Sequence, residues 1–376
     1  MQSYTMASDN SLGSVLVLGG CGFLGHHIIR KLLAAHDVSQ VTALDVVTDS
    51  RQVHGARYLV GSITSRSDVM NALWEAKPKV IFHTVSPQAL GSSRLFEQVN
   101  IEGTRNLLNC IQECDSIKVL VYTSSSSIMH DNRTDLAAAT EDLPVLFFPQ
   151  QPEIYSHTKA VAEEMILKSN NVGGVRTCAI RPAGMFGEHD RTTAGNIIAS
   201  AKEGKNRYQI GNNSKLFDWT YVGNNADAQL LAARALRRSH IQEQPHDRKI
   251  DGEAFVITND DPWPFWDFTR AMGAAAGYPI DKEKVYVIPA NLMWVFVSII
   301  ECIYWCFTFG TKQPRFTRAK VKYMTIHRYF DISKAKTRLG YVPKVSMEEG
   351  IRKTVQWYRE MPSEEKKRSE AFRKLA

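Results

Sequence analysis

The sequence predicts an α/β protein built on a doubly wound parallel sheet, with a smaller, substrate-binding lobe toward the C-terminus. Three observations predict it. Short apolar runs alternate with helical stretches from Ser14 to about Gly184, the pattern of parallel strands joined through helices. The first run ends in closely spaced glycines, Gly19, Gly20, Gly22 and Gly25, directly before an amphipathic stretch. Beyond Gly184 the alternation degrades into mixed segments, as expected of a lobe laid over the carboxyl ends of the strands, where open α/β sheets bind ligands. The expected organisation is a loose tail over 1–13, a sheet core over 14–184, and a lobe over 185–376 with some returns to the core.

Each element follows from its own pattern. SVLVLGG, QVTALDVV, ARYLVGSI and KVIFHTVS are apolar runs of strand length; GHHIIRKLLAAH and SDVMNALWEAK between them have helical spacing. VNIEGTRNLLNCIQEC predicts a helix over 99–114, KVLVYTSSSS a strand over 118–127, and Pro144, Pro149 and Pro152 punctuate a loop. A helix over 155–168 and a strand RTCAIRPAG over 176–184 complete the series.

Composition bounds the function. A chain of 376 residues, 44% hydrophobic and 23% charged, is ordinary globular chemistry and long enough to bury a core without disulfides. The net charge of +7 is scattered, which speaks against nucleic acid and slightly favours anionic cofactors or an anionic bilayer surface. Six cysteines without a Cys-x-x-Cys pair read as reduced residues of a cytosol-facing protein. The polar N-terminus has no apolar segment of a secretory signal.

The glycines predict a phosphate cradle. In LVLGGCGFLGHHII, Gly19, Gly22, Phe23, Leu24 and Gly25 lie between strand and helix, where glycine admits close backbone approach and the helix N-terminus offers unpaired N–H groups to a pyrophosphate. Asp45 follows Gly25 by twenty residues at the end of VTALD, the place for an acid that accepts ribose hydroxyls and repels a 2′-phosphate. NAD is expected in preference to NADP.

Tyr155 and Lys159 in IYSHTK are four apart and share one helical face. A phenol titrates near ~10, too high for a base at neutral pH, and a neighbouring ammonium or cationic ring favours phenolate. The strand end Thr123 to Ser127 brings hydroxyls toward the same region, with one of Ser124, Ser125 and Ser126 as a third catalytic member.

Taken together, GGCGFLG, Asp45, the serine strand end and YSHTK resemble the extended short-chain dehydrogenase/reductase superfamily, over residues from about 14 to 360. VIFHTVSP, VNIEGTRNLL, IRPAGMFGEHD, FDWTYVGNNADAQLLAARAL and KAKTRLGYVPKVSMEEGI are similar to its 3β-hydroxysteroid dehydrogenase branch. The resemblance implies a Rossmann core of the extended type and an NAD-dependent enzyme. It also implies the reaction: oxidation of the 3β-hydroxyl of a 4α-carboxysterol or related triterpenoid to a 3-ketone, with loss of the C4 carboxylate as carbon dioxide. A 3β-hydroxysteroid dehydrogenase/isomerase, a fusidane-type decarboxylating enzyme and, in another class, a non-catalytic NAD-binding regulator are the alternatives. It implies Ser125, thirty residues before Tyr155, as the serine that holds substrate oxygen. Tyr155 would accept the proton, and Lys159 would sustain the phenolate and bind the nicotinamide ribose. Ser62 and Ile63 would lie near the adenine, although Ser62 stands where the family commonly has Asp. Thr84 and Val85 would flank the cofactor, and Pro182 and Gly184 would pass the nicotinamide. Homodimers and association with other sterol C4-demethylation enzymes are further implications.

Residues 285–311 carry one charge, Glu301, and many aromatic residues. About twenty helical residues reach the ~30 Å of a bilayer core, but Pro289, Asn291 and Glu301 interrupt the run, and RYFDISKAKTRLGY resembles family sequence that packs back onto the soluble fold. The expectation is a helix or hairpin dipping into one leaflet, with Trp294, Tyr304 and Trp305 at the interface, on the cytosolic face of the endoplasmic reticulum membrane. A sterol-pocket or interface helix in a cytoplasmic protein is the alternative.

Overall fold

The computed structural model describes residues 11–48, 51–87, 92–240, 245–309, 314, 316–362 and 366; most of the expected N-terminal tail lies outside these. Seven strands form one all-parallel sheet: β1 (Gly13–Leu18), β2 (Val38–Asp45), β3 (Arg57–Val60), β4 (Val80–His83), β5 (Val119–Thr123), β6 (Arg176–Pro182) and β7 (Glu253–Ile257). Their order is β3-β2-β1-β4-β5-β6-β7. Connections run one way from β1 and the other way from β4, so a crevice opens at the carboxyl ends of these neighbours.

Alternation along β1 explains the two helical layers. Val15 and Val17 face one core with Ile28, Ile29 and Leu32 of α1 (Phe23–Leu33), whereas Leu16 and Leu18 face the other. That second core holds Val69 and Leu73 of α2 (Arg66–Ala76), Leu107 of α3 (Gly103–Ile111) and Ile166 of α4 (Ile154–Lys168). The first is closed by Ala233 and Leu236 of α5 (Val222–Ser239). Both β7 and α5 come from beyond Gly184, so the C-terminal half supplies an edge strand and a covering helix to the sheet.

Two elements differ from the periodicity. The helix expected over 99–114 is a composite: Ser93–Phe96 leads into a π-helical turn, Glu97–Glu102, and then α3. A Cβ on Gly103 would lie 2.7 Å from Ile63, and buried Asn100 donates to the Thr158 hydroxyl at 2.9 Å. Tertiary packing thus sets the widened turn, which hydropathy does not encode. The strand through the serines stops at Thr123; Ser126–Met129 form a 3₁₀ turn with Ser125 Oγ accepting from the Ser127 N–H at 3.2 Å.

A second, four-stranded sheet orders Trp263–Pro264, Leu216–Phe217, Arg328–Phe330 and Leu136–Ala139. Beside it, α6 (Ala290–Thr308) begins directly after Pro289. Of its 19 residues Val297 alone is buried, and Leu292, Val295, Phe296, Ile299, Ile303 and Phe307 are exposed. Glu301 is the helix's one charge, and it accepts from the backbone N–H of Arg318 at 2.7 Å and from Arg318 Nε. All six cysteines are free.

Helix α4 is tied to β6 by a buried ion pair. Arg181 Nε donates to both Glu163 oxygens at 3.1 and 3.0 Å, and both side chains are almost fully enclosed. Removing one partner strands the other charge, so Glu163→Ala is expected to cost about 3–5 kcal/mol in urea unfolding. A loss below about 1 kcal/mol would mean that Arg181 reaches water by another route.

Candidate active site

The crevice at the β1/β4 switch is a cleft of about 1530 Å³. Gly19, Gly22, Phe23, Leu24, Asp45, Ser62, Ile63, Thr84, Val85, Tyr155 and Lys159 all line it. Gly25 instead sits beneath the loop, where a Cβ would run into the Gly19 carbonyl. Gly19 itself has φ +81°, and a Cβ there would meet the Thr84 hydroxyl at 2.9 Å. Thr84 Oγ1 donates to the Leu18 carbonyl at 2.8 Å and holds that wall. At its start, α1 has no side-chain cap and no acid in its first turn, which leaves N–H groups for an anion.

Asp45 ends β2 at the rim. Its carboxylate accepts from the backbone N–H of Cys21 at 2.9 Å and of Val46 at 2.8 Å, so strand end and glycine loop share one acid. Ser62 N–H donates to Asp68 at 2.9 Å, an acid from the next turn of chain rather than from the strand end. The cleft therefore has the parts of a dinucleotide site: a glycine cradle without Cβ atoms, an uncapped helix start and an acid at the second strand end.

A second cavity, of about 1420 Å³, adjoins it. Ser125, Ser126 and Ser127 line this cavity, as do Tyr155, Pro182, Ala183 and Gly184. Pro182 and Gly184, expected beside the nicotinamide, thus lie on the second cavity's wall, because β6 ends at Pro182 and the chain crosses there into the strand Gly184–Phe186. Glu153, Tyr155 and Met185 border both spaces. Tyr155 stands where they meet.

The hydroxyls around Tyr155 are ordered. Ser156 Oγ donates to Ser127 Oγ at 2.8 Å, and Ser127 and Ser125 hydroxyls are 2.9 Å apart. Burial pushes the Tyr155 phenol above its ordinary value, and hydrogen bonding to Ser125 pulls it back. Ser124 lines the cofactor-type cleft instead, its N–H donating to Ile180 O at 2.7 Å; Ser126 is buried along the second cavity.

Lys159, one turn on from Tyr155, is almost wholly buried and donates to the Thr123 carbonyl at 2.7 Å. Its ammonium lies 4.8 Å from the centre of the Tyr122 ring. Burial drives it down to about 7, against an upward pull from Glu163. Sequence reasoning missed several cleft residues, among them Phe96, Val99, Met185, His189 and Arg191. Their positions, in the helix Ser93–Phe96 and the π-helical turn after it or in and beyond the strand Gly184–Phe186, follow from long-range packing, although FGEHD was a visible motif.

Solved structures share the architecture. UDP-glucose 4-epimerase from Thermotoga maritima matches with a TM-score of 0.68 at 19% identity, covering 92% of this chain and 98% of that one. The dTDP-glucose 4,6-dehydratase of Bacillus anthracis, solved in complex with NAD, matches at 0.67 and 19%, covering 94% and 98%. A parallel sheet of this order with these neighbours is the extended short-chain dehydrogenase/reductase type of Rossmann fold. More narrowly, the 3-beta hydroxysteroid dehydrogenase/isomerase family profile matches residues 16–288, and the chain belongs to that family. Sterol-4-alpha-carboxylate 3-dehydrogenase, decarboxylating, of Saccharomyces cerevisiae is 37% identical over 93% of this chain and 98% of its own length. The human protein of the same name is 32% identical over 94% and 90%.

The buried lysine has a thermodynamic signature. Its pKa is depressed on folding, so the unfolded chain binds the extra proton between pH 7 and 10, and this group makes stability rise with pH across that window. Lys159→Met is expected to be more stable than wild type at pH 6, with the gap closing toward pH 10. Thermal melts giving a gap constant with pH would show that Lys159 is not held near 7.

Proposed function

We propose that the protein oxidises the 3β-hydroxyl of a 4α-carboxysterol or related triterpenoid to the 3-ketone and releases the C4 carboxylate as carbon dioxide. The observation that carries this reading is the position of Tyr155 on the shared wall of the two cavities, with Ser125 on one side and Lys159 on the other. The family and the names of its relatives across fungi and animals support the substrate class.

The glycine cradle would hold NAD with Asp45 toward its ribose, and NAD would supply the hydride acceptor. Tyr155 takes the hydroxyl proton, and Ser125 donates to the same oxygen. The Ser156–Ser127–Ser125 hydroxyl chain orients that donor. Lys159 adds positive charge behind the phenol, which lowers the cost of phenolate. Once C3 is a ketone, the C4–carboxylate bond breaks, its electron pair forms the C3–C4 double bond of an enolate while the carbonyl π pair moves onto the C3 oxygen, and C4 then takes a proton from water. Ser125 and the newly protonated Tyr155 stabilise that developing charge. No imine-forming lysine is required, because the ketone β to the carboxylate accepts the electrons.

The exposed apolar helix α6 supports attachment to a membrane, on the cytosolic face of the endoplasmic reticulum in this reading. Its apolar surface includes Phe307, 83% exposed, and Phe309 just beyond it, 90% exposed. Ser298, Glu301, Cys302 and Trp305 of the same helix line the second cavity. One helix thereby has a lipid-facing side and a substrate-facing side, a short route for a molecule dissolved in the bilayer.

Incubation with NAD and a 4α-carboxysterol is expected to yield NADH and carbon dioxide together; NADH alone would mean simple dehydrogenation. Tyr155→Phe should lower kcat by at least about a hundredfold with NAD affinity retained, because it deletes the proton acceptor and little cofactor contact. Near-normal turnover in that variant would remove Tyr155 from the role. Separately, the protein should stay with washed membranes in high salt and leave them only with detergent. Release by salt alone would rule out insertion of α6.

A further inference from the structure

The second cavity contains a cation, Arg328, with no carboxylate within ion-pair distance among the described residues. Arg328 lies inside the smaller sheet, its backbone paired with Phe217 on one side and Leu136 on the other. Its carbonyl accepts from the Asp218 N–H at 2.9 Å. The strand therefore holds it in place. The residue is only 8% exposed, yet it lines the cavity shared with Ser125 and Tyr155.

Two other arginines have acidic partners. Arg181 is bidentate to Glu163, and Arg318, on the same cavity, is held by Glu301. For Arg328 no carboxylate lies within ion-pair distance among the described residues. Its Nη1 donates to Asn132 Oδ1 at 3.3 Å, and its guanidinium carbon lies 4.9 Å from the Tyr323 ring centre and 5.9 Å from that of Phe217. Two aromatic rings and an amide hold the guanidinium in place but do not neutralise it. Burial pushes its pKa below the ordinary arginine value, with Tyr323 and the cavity-lining Glu153 pulling in the opposite direction. A buried, uncompensated charge is costly to the folded state.

We propose that Arg328 binds the substrate's C4 carboxylate, its planar fork meeting the two oxygens while Tyr323, Phe217 and Asn132 fix the guanidinium. This rests on the reading of the substrate as a carboxylated sterol. The fork geometry suits a carboxylate, and the low-polarity surroundings strengthen the pair. Arg328 keeps its proton throughout. During oxidation, hydride leaves C3 for the cofactor and the hydroxyl proton goes to Tyr155. When carbon dioxide departs, the electron pair of the C4–carboxylate bond becomes the C3–C4 double bond of an enolate, the carbonyl π pair moves onto the C3 oxygen, and negative charge drains away from the arginine. Pairing with Arg328 therefore favours the bound acid and does not assist the bond cleavage. Its effect belongs to substrate selection: an acid is preferred over a neutral 3β-alcohol of the same shape.

The test compares a 4α-carboxysterol with its methyl ester, following NADH formation by the purified full chain. The ester keeps the bulk and the 3β-hydroxyl but carries no charge. Wild type should prefer the acid in kcat/KM, and Arg328→Met should shrink that preference about a hundredfold, the loss appearing chiefly in KM. Arg328→Lys should give an intermediate preference, since it keeps the charge and loses the fork. Equal losses on acid and ester would assign Arg328 a structural role and overturn the proposal, as would an unchanged acid preference. Should Arg328→Met fail to bind NAD, Arg328→Lys decides: wild-type discrimination in that variant overturns the proposal. A wild-type chain that oxidises the ester well and the acid poorly also overturns it, with the dehydrogenase reading intact. A chain that oxidises neither removes the dehydrogenase reading itself.

Discussion

One carboxylate, Glu163, stands between two buried cations, and the site depends on it. It pairs with Arg181 across from β6 and pulls upward on Lys159, one turn away on its own helix. Burying the pair is not in itself a source of stability, since desolvation consumes much of the Coulombic attraction. What the pair fixes is rotation: α4 can meet β6 in one orientation without stranding a charge. That orientation turns Lys159 onto the Thr123 carbonyl and Tyr155 toward the two cavities. Helix register, strand end and the Tyr155 phenol are therefore one linked arrangement.

The second consequence is a division of space. The sheet reverses its winding direction between β1 and β4, which opens the cofactor-type cleft at the carboxyl ends of those strands. The smaller sheet and α6, both from the C-terminal half apart from the strand Leu136–Ala139, wall the second cavity. Tyr155 is reached from both sides, so a cofactor and a substrate can approach one phenol without sharing a pocket. The sheet that supplies Arg328 also packs its aromatic neighbour Phe217 against Trp219 and Phe265. A charged group there is held by a rigid apolar frame.

The apolar helix α6 is the opposite case, an element that the fold leaves uncovered. In water, such a face invites association. Here Glu301 turns its charge inward to Arg318, and the remaining apolar side chains face outward. The geometry suits an element that meets a nonpolar medium on one side and the second cavity on the other.

Legibility followed the range of the interactions. The glycine cradle, Asp45 and the Tyr155–Lys159 pair are local patterns, set by strand, turn and helical period, and the sequence by itself determined them together with the parallel α/β core. Hydropathy also marked α6, because a run of apolar residues is visible without knowing its neighbours. Tertiary structure alone decided that Ser124 lines the cofactor-type cleft and Ser125 the second cavity, and that Pro182 and Gly184 line that second cavity too. It alone brought Arg328 from a distant strand to the cavity of Tyr155, and it brought β7 and α5 back to the sheet. Those placements arise from contacts between residues dozens to hundreds of positions apart, and such contacts leave no periodicity along the chain.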